Sequence, residues 1–270
     1  MNKIELVIKK ISDWISRIVP ECRFKDSLRA LFYNFFNSQF KMRVLEHSVF
    51  LIEANDISFK VSYVPAFEIG NDLIALRGYL GDSKVVRGNI VVDAGASGSG
   101  IATMYFSRLV GDTGKVIALE PDKENYKILQ KNLELNNINN VIALNKGLWR
   151  NEAVLSFDSS MGESSSVLFS DQGGIGKQIK IPCVDLDSLL KDLGLPRVDF
   201  IKMDIEGAEI EAFEGMKQTL KMGSPSLAVA SYHIRDGQQT YLALEKSLKE
   251  MGYQVRTGHP IHLTTYACKI

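Results

Sequence analysis

The sequence predicts an α/β fold: a mostly parallel sheet with helices on both faces, joined to an N-terminal helical and hairpin extension. Three observations carry this. From Asn89 onward short apolar runs alternate with helical stretches, the pattern that builds parallel sheets. The run Ile90-Val91-Val92 ends in Asp93 and a glycine-rich turn before a helix. A chain of 270 residues, 45% hydrophobic and 24% charged, is long and apolar enough for one large core.

Residues 1–80 read as the extension, packed on the core, and residues 81–270 as the main domain. Ile4, Val7, Ile8, Ile11, Trp14, Ile15 and Ile18 recur at three- and four-residue steps and line one face of a helix that Pro20 ends. That stripe is expected to pack on its own chain, and a homodimer seam is its other use. A second helix is expected over residues 23–37. Residues 44–64 turn β-branched and aromatic around a break at Asn55-Asp56, which predicts a hairpin, and residues 68–79 read as a helix entering the main domain. There the strands fall at residues 90–93, 115–119, 141–145, 198–203 and 226–232, with helices over 100–110, 123–136, 206–222 and 237–251. An insertion holds strand-like residues 153–157 and 178–183 around a Ser/Gly-rich loop. Residues 253–257 and 262–269, separated by Gly258-His259-Pro260, predict a terminal antiparallel hairpin.

Lys plus Arg number 32 and Asp plus Glu number 32, so no basic excess points to nucleic acid or an anionic membrane. The longest uncharged stretch, residues 94–107, falls short of the roughly 18 apolar residues of a membrane helix. The N-terminus interrupts its apolar residues with charges and lacks a signal-peptide core, so a cytoplasmic protein is expected. Cys22, Cys183 and Cys268 are odd in number and form no CxxC pair, which predicts three buried, reduced thiols.

In IVVDAGASGSG, Gly95, Gly98 and Gly100 permit a tight turn and a close backbone approach, the mark of a nucleotide-binding turn. Counted from Gly95, the dinucleotide pattern G-x-G-x-x-G puts Ser97 where its second Gly belongs. Asp93 at the strand end suits a cofactor bearing a cationic amino group better than a pyrophosphate. S-adenosylmethionine is therefore favoured over NAD. The next strand ends in Glu120, followed by Pro121 and Asp122, and a carboxylate there can accept both ribose hydroxyls.

The segments VVDAGASGSG, GKVIALEPDKENYKILQKNLELN and VDFIKMDIEGAEIEAFEGM together resemble the FkbM family of S-adenosylmethionine-dependent methyltransferases over residues 89–216. The loop Ser97-Gly98-Ser99-Gly100 is one residue longer than in similar proteins, which leaves open the loop amides that face the cofactor. The resemblance implies a Rossmann-like, class I methyltransferase sheet of seven strands. It places Asp93 and Gly95 along the methionine end, Glu120 at the ribose, Asp122 near adenine and the turn Asn145-Lys146-Gly147 over the base, with Ala96, Ser97, Gly98 and Pro121 also among the expected cofactor-binding residues.

The fourth strand ends in Lys202-Met203-Asp204-Ile205-Glu206, and period-2 alternation puts Lys202 and Asp204 on one face. Charged groups are seldom buried unless paired, so both are candidates for the site, Asp204 also for the cofactor shell. His233 follows the fifth strand, and adjacent strands would project it and Asp204 into one crevice. His233 is the expected general base, with Asp204 orienting it or replacing it. His47, His259 and His262 lie on peripheral segments and are given no catalytic role. Two carboxylates one residue apart are too weak a signal for a metal, and none is expected. Residues 162–176, with Ser164, Ser165 and Ser166, read either as an acceptor lid or as a solvated loop. The expected activity is methyl transfer to a hydroxyl of a sugar, glycan or polyketide-like small molecule. The alternatives are an RNA methyltransferase and a non-catalytic cofactor-binding module.

Overall fold

The computed structural model describes residues 20–36, 40–54, 57–62, 66–81, 84–158, 178–235, 237–258 and 262–269. The expected helix over 4–18, the break at Asn55-Asp56, the loop 162–176 and His259-Pro260 lie outside these residues.

Helix α1 (Arg23–Phe36) leads into a meander of β1 (Lys41–Glu46), β2 (Val49–Ala54) and β3 (Ile57–Ser62), and then into α2 (Ala66–Leu80). The expected hairpin is thus three strands. The missed turn is His47-Ser48, where Ser48 takes a left-handed φ of 59° and its N–H donates to the buried Asp26 carboxylate at 2.9 Å.

The main domain follows as β4 (Ile90–Ala94), α3 (Ile101–Val110), β5 (Lys115–Leu119), α4 (Lys123–Leu135), β6 (Val141–Leu144), β7 (Gly147–Leu148), β8 (Ala153–Asp158), β9 (Gln178–Val184), α5 (Leu186–Asp192), β10 (Phe200–Met203), α6 (Glu209–Glu214), β11 (Ser226–Ala230), β12 (Ile234–Arg235), β13 (Gln238–Gln239), α7 (Tyr241–Glu250), β14 (Gln254–Gly258) and β15 (Thr264–Cys268). Seven strands form one sheet in the order β14-β15-β11-β10-β4-β5-β6. The neighbours from β11 to β6 run parallel, and β15 and β14 close the sheet antiparallel as the terminal hairpin. Both faces are covered. Val91, Ala118, Phe200 and Ala228 face α2, α3 and the N-terminal meander. Val92, Ile117, Ile201 and Leu227 face the side of α5, α6 and α7. No helix among the described residues is long and apolar enough to cross a membrane.

Local sequence explains the remaining differences. The expected helix over 206–222 begins only at Glu209, because Glu206 and Gly207 take φ of 57° and 96°. It breaks at Gly215, where a Cβ would come within 2.2 Å of the Trp149 carbonyl, and resumes as a π turn over Thr219–Gly223. The expected helix over 237–251 starts at Tyr241 because β13, paired with β12, occupies its first residues. Helix α5 was missed, although Asp185 caps it from Ser188 N at 2.8 Å and Leu186, Leu189 and Leu190 are buried on one face. Of the cysteines, only Cys183 is buried; Cys22 is half-buried and Cys268 exposed.

Two asparagines of α4 join the extension to the main domain. Asn136 pairs with both the N–H and the C=O of Lys60, at 2.9 and 2.6 Å, as a neighbouring strand would. Asn132, fully buried, accepts from Ser62 N at 2.6 Å and donates to Ser99 O at 2.9 Å, tying β3 to the glycine turn. Asn132→Leu leaves those buried groups unpaired and should destabilise the fold by about 1–3 kcal/mol, read as a lowered urea midpoint with an unchanged m-value.

Candidate active site

The carboxyl ends of β4, β5 and β10, covered by α2, enclose a cavity of about 450 Å³. Gly95 sets its floor: with φ at +78°, a Cβ there would lie 1.9 Å from the Asp204 carbonyl, so only glycine lets β4 and β10 approach. Gly95, Ala96, Ser97, Glu120, Pro121, Asp122, Lys146, Gly147, Lys202 and Asp204 all line the cavity. Two expected residues do not. Gly98 turns away against Asn125, and Asp93 lies beneath the floor without exposed surface.

Asp93 and Lys202 are register neighbours on β4 and β10. The Lys202 ammonium sits 3.0 Å from the Asp93 carboxylate and donates to the Gly95 carbonyl at 2.5 Å, while the Thr103 hydroxyl donates to Asp93 at 2.6 Å. Burial works against the Lys202 charge, but Asp93, then Asp204 and Asp72, outweigh it and hold the amine above its usual range. Lys202 therefore fixes the glycine turn. Its retained proton rules it out as a base.

Glu120 is buried at the end of β5, and its two oxygens accept from Ser97 N and Asp122 N at 2.9 Å each. Burial, against these two amides and the Lys202 charge, pushes its carboxyl up to about 7, and the neighbouring Asp122 adds to the rise. The helix cap is Asp122, which accepts from Glu124 N and Asn125 N. Glu120 is left to face the cavity. Asn145 fastens the opposite lip by donating to the carbonyls of Glu120 and Pro121 at 2.9 and 3.0 Å.

Helix α2 supplies site residues that the sequence reading missed. Asp72 accepts from the hydroxyls of Ser97, at 3.0 Å, and of Ser99, and burial raises its carboxyl. The Tyr79 hydroxyl donates to Asp204 Oδ2 at 2.6 Å and lies 3.0 Å from His262 Nε2. Burial and the Asp204 charge raise the Tyr79 phenol well above its usual range, so it remains a donor. Burial lowers His262, which is neutral at pH 7. The histidine set aside as peripheral thus completes a chain Asp204–Tyr79–His262, because the terminal hairpin folds back beside β11.

His233 and Asp204 do meet, with Nε2 3.7 Å from Oδ1, but the surroundings change the role of the ring. His233 is buried, does not line the cavity, and has Glu206 Oε2 3.4 Å from Nε2 and Glu209 Oε1 3.1 Å from Nδ1. Neither ring nitrogen has the alignment of a hydrogen bond to these oxygens. Burial opposes the charged ring, yet the carboxylates of Glu206 and Glu209, with the field of Asp204, push it up to about 10. That environment favours a proton on the ring, and because His233 does not line the cavity the general base is better sought among the residues that do.

The cavity rim carries the carboxylates of Asp72, Glu120, Asp122, Asp204 and Glu206 against the amines of Lys146 and Lys202. That excess suits a cationic ligand and opposes a pyrophosphate. The family model for the FkbM methyltransferase domain matches residues 93–255, more than half of the chain. A model for protein-L-isoaspartate O-methyltransferase matches residues 30–148. The chain is 30% identical over 147 residues to Methyltransferase 1 of Beauveria bassiana (strain ARSEF 2860), spanning 47% of this chain and 58% of that one. It is 28% identical over 200 residues to Methyltransferase sdnD of Sordaria araneosa, spanning 62% of this chain and 76% of that one. The crystal structure of methyltransferase FkbM from Methylobacillus flagellatus KT shares the fold, with a TM-score of 0.53 at 22% identity over 71% of this chain and 47% of that one. The chain therefore spans about half the length of the Methylobacillus protein and well under two thirds of the Beauveria one. With the glycine turn, the acid after the second strand of the sheet and the family model in agreement, this chain belongs to the FkbM family of S-adenosylmethionine-dependent methyltransferases.

Proposed function

We propose that the protein transfers a methyl group from S-adenosylmethionine to an oxygen of a small-molecule acceptor. The observation that carries this reading is the chain Asp204–Tyr79–His262 at the end of the cavity where β10 meets the glycine turn. When bound, the cofactor supplies an electrophilic methyl on a sulfonium. Glu120 accepts the ribose hydroxyls with the lone pairs that Ser97 N and Asp122 N leave free. The Asp72 carboxylate faces the cationic end.

Most of the rate enhancement comes from aligning the acceptor. Asp204 accepts the hydroxyl proton, held in place by the Tyr79 hydroxyl, whose oxygen in turn accepts from His262 Nε2–H. The alcohol oxygen gains the methyl as its O–H bond is lost, and the carbon–sulfur bond breaks. The acceptor class is a sugar, glycan or polyketide-like hydroxyl compound, to be tested by adding isotopically labelled S-adenosylmethionine and the protein to a cell extract and finding the labelled product. Label on nitrogen alone would overturn the oxygen assignment.

Cofactor affinity should depend on pH through Glu120. The ionised carboxylate is the better acceptor for ribose hydroxyls, and its folded-state value is about 7. Affinity is therefore expected to fall as pH drops below 7, by up to about tenfold per unit. Glu120→Ala should bind about 1–3 kcal/mol more weakly at pH 8 and lose most of this dependence. Calorimetric titration at several pH values checks both. A folded variant with wild-type affinity would remove the ribose assignment.

A further inference from the structure

The carboxylates around His233 form a second arrangement, which shares Asp204 with the proposed proton transfer and adds Glu206 and His233 to it. Asp204 and Glu206 leave the end of β10, and His233 leaves the end of the adjacent β11. One ligand atom from each lies within 4.8 Å of the others. From His233 Nε2 the distances are 3.4 Å to Glu206 Oε2 and 3.7 Å to Asp204 Oδ1. Around a six-coordinate divalent ion with bonds of about 2.1 Å, ligand atoms lie about 3 Å apart in adjacent positions and about 4.2 Å apart in opposite ones, so the three atoms draw inward on binding.

Two further observations point to a ligand. His233 is only 7% exposed, and neither ring nitrogen has a hydrogen-bond partner, although Nε2 lies within 4 Å of both carboxylates. Behind the ring, fully buried Glu209 stands 3.1 Å from Nδ1 and is itself fixed by Ile205 N and Gly207 N at 3.3 and 3.2 Å. A carboxylate near the distal nitrogen is the usual support of a metal-bound imidazole, and a turn of the ring would bring Nδ1 into line with Glu209. Asp204 is held by two phenols, with Oδ2 accepting from Tyr79 at 2.6 Å and Oδ1, the oxygen nearer His233, accepting a long bond from Tyr232 at 3.4 Å. The nearby cations are engaged elsewhere, Lys202 with Asp93 and Arg235 with Glu211. Three carboxylates thus surround one imidazole, a negative excess that a divalent cation neutralises.

We infer that Asp204, Glu206 and His233 bind one divalent cation at the lip of the cofactor cavity, reversing the expectation of no metal. Two carboxylate oxygens and one imidazole nitrogen suit a mid-row ion such as Mn(II) better than Mg(II). Asp204 and Glu206 both line the cavity, and Glu206 is more than half exposed, so the remaining coordination positions face the acceptor side. Resting on the oxygen-transfer reading above, the cation's place in that reaction is to hold the acceptor oxygen there.

The test is titration of chelator-treated, cofactor-free protein with Mn(II) alone, with free Mn(II) counted by electron paramagnetic resonance. One saturable site per chain is expected. His233→Ala and Glu206→Gln should each weaken it about tenfold or more, and Glu209→Gln, acting through the ring, by about 10–100-fold. Glu206 is exposed enough that Glu206→Gln folds normally, so a variant always remains to read. Absence of a saturable site in the wild-type protein, or unchanged binding in Glu206→Gln and His233→Ala, would overturn the proposal and leave the cluster an internal ion network. A parallel titration with S-adenosylmethionine separates the two readings, because cofactor binding without Mn(II) binding removes only the metal.

Discussion

Asp204→Asn is expected to lower turnover by about 10² or more while leaving S-adenosylmethionine affinity nearly unchanged. Asn still accepts from the Tyr79 hydroxyl, which now lies 2.6 Å from Asp204 Oδ2, so the side chain keeps its position and loses only its charge and its ability to take a proton. In the proposed arrangement the ribose is served by Glu120 at the end of another strand. Loss of kcat at constant cofactor affinity separates this role from a packing role, which would weaken both. Single-turnover rates with a cofactor titration decide it, and a near wild-type rate would remove Asp204 from the chemistry. His262→Ala should have a smaller effect, because Tyr79 stands between it and Asp204.

Lys202→Met is expected to destabilise the protein by about 3–5 kcal/mol, the range for leaving one partner of a buried ion pair alone. Asp93 has no exposed side-chain surface and Lys202 only 6%. Without the ammonium, the carboxylate keeps only the Thr103 hydroxyl, and the Gly95 carbonyl loses its donor. The melting temperature should fall by roughly 10 °C. Lys202→Met combined with Asp93→Asn should recover much of this loss, because the buried charge is then gone. Equal melting of Lys202→Met and wild-type protein would show that the pair does not support the glycine turn.

The parallel core was legible because its strands are continuous apolar runs punctuated by glycine turns, and the acid after the second of them pointed to the ribose side of the cavity. What the sequence concealed was of two kinds. Asp72 and Tyr79 sit on α2, in a segment that reads as an ordinary helix entering the domain, and only tertiary packing brings that helix over the strand ends. His262 lies after the last helix, and its arrival beside Tyr79 depends on the antiparallel return of β15 along β11. The surroundings of His233 were hidden for an electrostatic reason. A histidine after a strand end is a reasonable base, but Glu206 and Glu209 crowd it only because Glu206 and Gly207 adopt left-handed conformations and delay the start of α6. The broken helix and the altered histidine therefore share one cause.

The most direct test of the account is carbon NMR of the product formed when the purified protein meets its acceptor with S-adenosylmethionine carrying ¹³C in the methyl group. The account predicts a new methoxy resonance, present with wild-type protein and strongly reduced with Asp204→Asn. Label appearing only as an N-methyl or S-methyl group would contradict it.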